Sequence, residues 1–146
     1  MNRTFNTANC NIGTITFPAS ITTLGSGYQA AFYLSKIRNF IFSEGTRSLT
    51  ASWHVFYHAG GRRYISFPST FTSSIPNVCS AGFSATLKLV INGNSVRPIV
   101  EQSYYKASVN IYAYVPDELV DDYKADSSWS SHFNVNKILP MSELTV

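Results

Sequence analysis

The sequence predicts an all-β fold, an antiparallel β-sandwich of about eight or nine strands with one short helix near residues 116–124. Three observations carry this. Long runs alternate apolar and polar residues with a period of two, turn-forming glycine and asparagine lie between such runs, and helical periodicity is scarce.

In chain order, short strand candidates lie at 13–17, 28–35 and 37–43. Trp53, Val55 and Tyr57 then alternate with Ser52, His54, Phe56 and His58. Ala59-Gly60-Gly61-Arg62 reads as a hairpin turn into a strand at 62–67, because glycine accepts the positive φ of tight turns. Phe83, Ala85, Leu87, Leu89 and Ile91 alternate with Ser84, Thr86, Lys88 and Val90, and Asn92-Gly93-Asn94 reads as a second hairpin turn. The strand expected at 96–101 contains Pro98, which cannot donate to a ladder, so it is placed at a sheet edge. Ala107, Val109, Ile111, Ala113 and Val115 alternate with Ser108, Asn110, Tyr112 and Tyr114. Pro116-Asp117-Glu118-Leu119-Val120-Asp121-Asp122-Tyr123-Lys124 has proline in the first turn and acids near the N-terminal end, as a helix start requires. A last strand is expected at 133–139, and no internal repeat is read. Residues 1–115 thus form the sandwich. Residues 116–146 are an acidic helix and arm packing on the same or a neighbouring subunit.

Composition narrows the function classes. Only 13% of the 146 residues are charged, against roughly 25% in ordinary domains, and 20 Ser, 12 Thr and 11 Asn take their place. That excludes a disordered tail, a coiled coil and a strongly electrostatic nucleic-acid binder. No apolar run is long enough to span a bilayer, and the polar N-terminal residues lack a secretory signal pattern. Cys10 and Cys79 are then expected as reduced thiols. Net charge is +7 over residues 1–100 and −4 over 101–146, with Asp117, Glu118, Asp121, Asp122 and Asp126 crowded together. Such a segment is either a solvated face or a surface that docks on the basic body, its own or a neighbour's.

Candidate chemistry is sparse. His54 and His58 share the i, i+4 spacing of helical zinc sites, but on a strand their Cα atoms stand about 13 Å apart, too far for one ion. Ahead of the acidic cluster the carboxylates are Glu44 and Glu101, both near predicted strand ends, and no nucleophile elbow, phosphate loop or CxxC pair is present. Neither an enzyme nor a cofactor is expected. Tyr112 and Tyr114 fall opposite the apolar parity set, as a sugar-stacking platform or a subunit contact. Trp53 joins them as a candidate ligand-binding aromatic. Arg62 and Arg63 sit at a loop tip, as a solvated hairpin end or as a ligand contact.

The phrase Tyr64-Ile65-Ser66-Phe67-Pro68-Ser69-Thr70-Phe71, followed by Ile75-Pro76-Asn77-Val78, resembles the β-sandwich modules of H-type lectins and of bacteriophage tail-fibre tips. Residues 108–115 are similar to their closing strand. The resemblance implies a homotrimeric or larger virion protein, made in a host cytoplasm, partnered with other virion proteins and reading host surface carbohydrate. A purely structural virion subunit and a small β-fold hydrolase using Glu44 and Glu101 are the alternatives.

Overall fold

The structure, a computed structural model, describes residues 13–24, 32, 37–51, 64–76, 86–100 and 110–145. Among these lie strands β1 (Thr14–Phe17), β2 (Thr23–Leu24), β3 (Asn39–Phe42), β4 (Thr50–Ala51), β5 (Tyr64–Phe67), β6 (Leu87–Ile91), β7 (Ile111–Val115) and β8 (Ile138–Pro140). Two helices, α1 (Val120–Ala125) and α2 (Ser127–His132), precede β8. Six strands form one sheet in the order β1-β3-β5-β6-β7-β8, and β2 pairs with β4 in a second, small sheet.

Every pairing is parallel, which overturns the expected antiparallel sandwich. Thr14 faces Asn39, Asn39 faces Tyr64, Tyr64 faces Lys88, Lys88 faces Tyr112 and Ala113 faces Ile138, so successive strands are 24 or 25 residues apart. Each strand therefore begins a coil that returns the chain to its starting side, and the coils stack as a solenoid. A period of two is common to this arrangement and to a sandwich, since either buries one face of each strand. The alternation was read correctly and its direction was not.

The repeat is sharpest where the backbone ladder enforces it. Inward positions stack as Ile15, Phe40, Ile65, Leu89, Ala113 and Ile138. Beside them the Phe17, Phe42 and Phe67 rings stack at 5.0 and 5.4 Å between centroids. The turn after the strand recurs as well. Ile21, Thr46, Phe71 and Leu119 donate backbone N–H groups to the carbonyls of Pro18, Ser43, Pro68 and Pro116 at 2.9–3.1 Å. Ser43 and Asn92, at equivalent places, continue the ladder by donating N–H to the carbonyls of Phe17 and Phe67. Returns vary more: Thr23 faces Thr50, an offset of 27.

Asn92-Gly93-Asn94 is not a hairpin. Asn92 also donates its side-chain amide to the Phe67 carbonyl at 2.8 Å, pinning its coil to the preceding one. Gly93, at φ 128°, turns the chain off the sheet, and a Cβ there would lie 2.9 Å from Arg97 Nη2. The edge strand expected at 96–101 is not formed at 96–100, where Ile99 makes one isolated parallel bridge with Ile75; residue 101 lies outside the described residues. The single helix expected near 116–124 is a 3-10 turn (Asp117–Leu119) followed by α1, and a second helix, α2, follows it. The strand expected at 133–139 is reduced to β8 after a 3-10 turn at Val135–Lys137. The 28–35, 52–58 and 59–62 readings, and Cys10 and Cys79, lie outside the described residues apart from Phe32, which is buried.

The last coil is closed differently. After β7 the chain has no further strand for the second column; α1 and α2 cover it instead. Along that column Pro98 O and Val100 N face the preceding coil, bonded to Ile75. Groups of the opposite parity face the helices. The Tyr123 hydroxyl accepts from Arg97 N (3.0 Å), Ser128 Oγ accepts from Ile99 N (3.1 Å), and Trp129 Nε1 donates to Arg97 O (2.7 Å). Three side chains thus replace the strand that would otherwise pair there, as an end cap on a solenoid must. Asp126 holds α2 in place as its N-cap, accepting from Ser128 N at 2.9 Å and Trp129 N at 3.2 Å.

Acids also staple the turns of successive coils. Glu44 accepts from Ser69 N (3.0 Å), Ser69 Oγ (2.9 Å) and Thr70 N (3.3 Å), 25 or 26 residues ahead. Asp117 accepts from Ser142 N at 3.0 Å, 25 residues ahead. Hydrogen bonds from the Ser69 backbone first, then from its hydroxyl and from Thr70, hold the Glu44 carboxyl below its ordinary pKa against a smaller opposing effect of desolvation. A depressed carboxyl stabilises the fold above the unfolded value of about 4.3, and that contribution fades as pH falls through the lower folded value. Glu44 faces solvent, so the contribution is under about 1 kcal/mol. Urea titrations at pH 7 and pH 3 are expected to show Glu44→Gln destabilised at pH 7 and the loss reduced at pH 3. Equal losses at both values would exclude the ionised staple.

Candidate functional site

The outer face of the six-stranded sheet carries two rows of side chains, set by strand parity. In-register coils repeat each row at the inter-strand spacing of about 4.8 Å. The first row is Thr14, Asn39, Tyr64, Lys88 and Tyr112, which are exposed or half-buried. Lys137, just before β8, extends it, with Nζ 5.0 Å from the centre of the Tyr112 ring. At the other end Asn39 Nδ2 donates to Thr14 Oγ1 at 3.0 Å, tying the first two coils together.

The second row, Thr16, Ile41, Ser66, Val90, Tyr114 and Leu139, sinks toward its middle. Ser66, Val90 and Tyr114 are 8%, 2% and 7% exposed. The C-terminal segment bounds this side. Its 3-10 turn, Met141–Glu143, packs against β7, and Lys88 Nζ donates to the Thr145 carbonyl and, at 3.2 Å, to Thr145 Oγ1. Burial pushes the Tyr114 hydroxyl pKa up, with smaller contributions from Tyr112 and the Glu143 carboxylate. Lys88 Nζ also stands 5.9 Å from the centre of the Tyr114 ring.

The paired tyrosines read from the sequence are therefore both on the outer face, in different rows. Tyr112 borders the open row; Tyr114 is enclosed by its own chain. Trp53, Arg62 and Arg63 lie outside the described residues, as do His54, His58 and Glu101. Glu44 is engaged by Ser69 and Thr70. Among the described residues no cluster of three metal-ligating side chains occurs, and no helix is long and apolar enough to cross a membrane. A shallow depression beside the cap, lined by Lys124, Ser130, Phe133, Asn134 and Val135, brings no set of polar groups to one point.

Tyr64 and Lys88 were missed as site residues because each stands on a different run, and only the 24-residue register makes them neighbours of Tyr112. The available signal was the 25-residue recurrence of Phe17-Pro18 and Phe67-Pro68 with Phe42 between. Architecture and site together define a capped parallel β-solenoid with one open polar-aromatic row. The chain matches no protein-family model, no curated protein and no solved structure.

Proposed function

We propose that the chain is a binding module without catalytic machinery, which presents the open row of its outer sheet face to surface carbohydrate. The observation that carries this reading is the in-register alignment of Tyr64, Lys88 and Tyr112 on consecutive coils. Rigid strands hold these side chains without loop entropy, and tyrosine offers an apolar face with a polar tip, the combination that sugar rings match. The neutral Ser, Thr and Asn surface supplies hydrogen bonds without a strong field.

The virion-appendage setting belongs to the same proposal. There several copies of the module would act together, and avidity would raise a weak single-site affinity. The Tyr64–Phe71 phrase behind the tail-fibre resemblance forms strand β5 and its turn here, so support for that setting rests on composition and surface character.

Glycan-array binding of the full chain, followed by titration of the best ligand, tests the reading. Tyr112→Ala and Tyr64→Ala are each expected to weaken binding by roughly 5- to 100-fold, the worth of one ring contact, with the unfolding midpoint little changed. Binding unaffected by both substitutions would place the ligand elsewhere. A chain that binds no glycan would favour a purely structural part.

A further inference from the structure

We infer that the ligand of the open row is an acidic polysaccharide lying across the strands, along the solenoid axis, with its sugar units in step with the coils. The inference rests on the carbohydrate reading above and adds the charge and direction of the ligand.

The row alternates in chemistry. Tyr64, Lys88 and Tyr112 occupy one register position on three successive strands, and Lys137 stands over the Tyr112 ring from the next coil. Tyrosine, lysine, tyrosine and lysine thus follow one another on backbones that step by about 4.8 Å, the spacing of the ladder. No carboxylate occurs at any position of this row. A polymer of flat sugar rings with regularly spaced carboxylates meets both components: rings stack on the tyrosines, and carboxylates reach the lysines. A neutral glycan brings no charge to the lysine positions. An acidic peptide matches the lysines but brings no rigid ring faces in step with the tyrosines.

Two features make this a single track. The neighbouring row is closed at Ser66, Val90 and Tyr114, so a ligand cannot spread sideways over the middle strands. Thr145 anchors the Lys88 ammonium through its carbonyl and hydroxyl, which holds the charge on the face and reduces the side-chain entropy lost on binding.

Calorimetric titration of the full chain tests the inference, with polygalacturonate, alginate and hyaluronate as acidic probes. Fully methyl-esterified polygalacturonate and neutral galactan serve as uncharged counterparts, and polyglutamate as the acidic peptide. The acidic polysaccharides are expected to bind at least tenfold tighter than their uncharged counterparts. Their affinity is expected to fall with added salt, because exposed ion pairs are screened. Lys88→Gln is expected to lower acidic-probe affinity by roughly 3- to 10-fold and to flatten the salt dependence. Equal affinity for polygalacturonate and its ester would overturn the charge assignment while leaving the carbohydrate reading in place. Polyglutamate competing as well as polygalacturonate would overturn the polysaccharide assignment. Absence of binding across the acidic panel, where neutral glycans bind, overturns this inference alone; absence across every glycan overturns both.

Discussion

Trp129→Ala is expected to destabilise the chain by about 3–5 kcal/mol, a large part of the net stability of an ordinary domain. Trp129 is fully buried, its ring lies edge-on to Tyr123 and Phe133 at 5.4 and 5.1 Å, and Nε1 donates to the Arg97 carbonyl. Removing it opens a cavity under α2 and leaves that carbonyl without a partner. It also loosens a buried guanidinium. Arg97 is 6% exposed and donates Nε to the Phe71 carbonyl and Nη1 to the Ser95 carbonyl and hydroxyl, and its own backbone N–H and carbonyl are bonded to Tyr123 and Trp129 of the cap. Trp129→Phe keeps most of the packing and loses the hydrogen bond, at an expected cost of about 1–3 kcal/mol. Urea unfolding followed by far-UV circular dichroism separates the two. A loss below about 1 kcal/mol for the alanine variant would show that the helices are an appendage and not the cap of the coils.

Phe42→Ala is expected to cost about 3–5 kcal/mol, and Phe17→Ala distinctly less. The two residues hold the same place in successive coils, face each other in register and stack ring to ring. Phe42 is 2% exposed, between Phe17 and Phe67, whereas Phe17 is half-buried in the first described coil. The Phe42 ring is clasped by rings of the coils on both sides and loses more buried apolar area than the half-buried Phe17 ring. The double variant should fall short of the sum of the single ones, because both remove the same ring contact. Equal losses for Phe17 and Phe42 would show that burial does not separate the two positions. Denaturant midpoints for the three variants decide it.

Much of the local structure was legible. The strands at 87–91 and 111–115, the burial of Leu87, Leu89, Ile111 and Ala113, and the outward parity of Tyr112 and Tyr114 all followed from alternation. Asp117 stood out as an acid near a helix start and Asp126 as one of five crowded acids, and their work is local: one staples residue 142 and the other caps α2. What misled was turn chemistry. Asn92-Gly93 satisfies a hairpin, yet the positive φ of Gly93 and the Asn92 amide serve equally to turn a coil and to bond its neighbour.

By itself the sequence determined that strands form near 14–17, 39–42, 64–67, 87–91 and 111–115, which of their faces is apolar, and that the composition is weakly charged and aromatic. These are properties of periods shorter than a coil, and each residue's neighbours in the chain suffice to set them. Only the tertiary structure decided that the strands run parallel, that α1 and α2 close the last coil, and that Tyr64, Lys88 and Tyr112 share one row. Those facts depend on a register of 24 or 25 residues between segments whose sole strict common requirement is an apolar side chain at the inward positions. Many side chains meet that requirement, and returns of unequal length blur the period. Backbone hydrogen bonding, identical for every residue but proline, then fixes the alignment that side-chain identity leaves open.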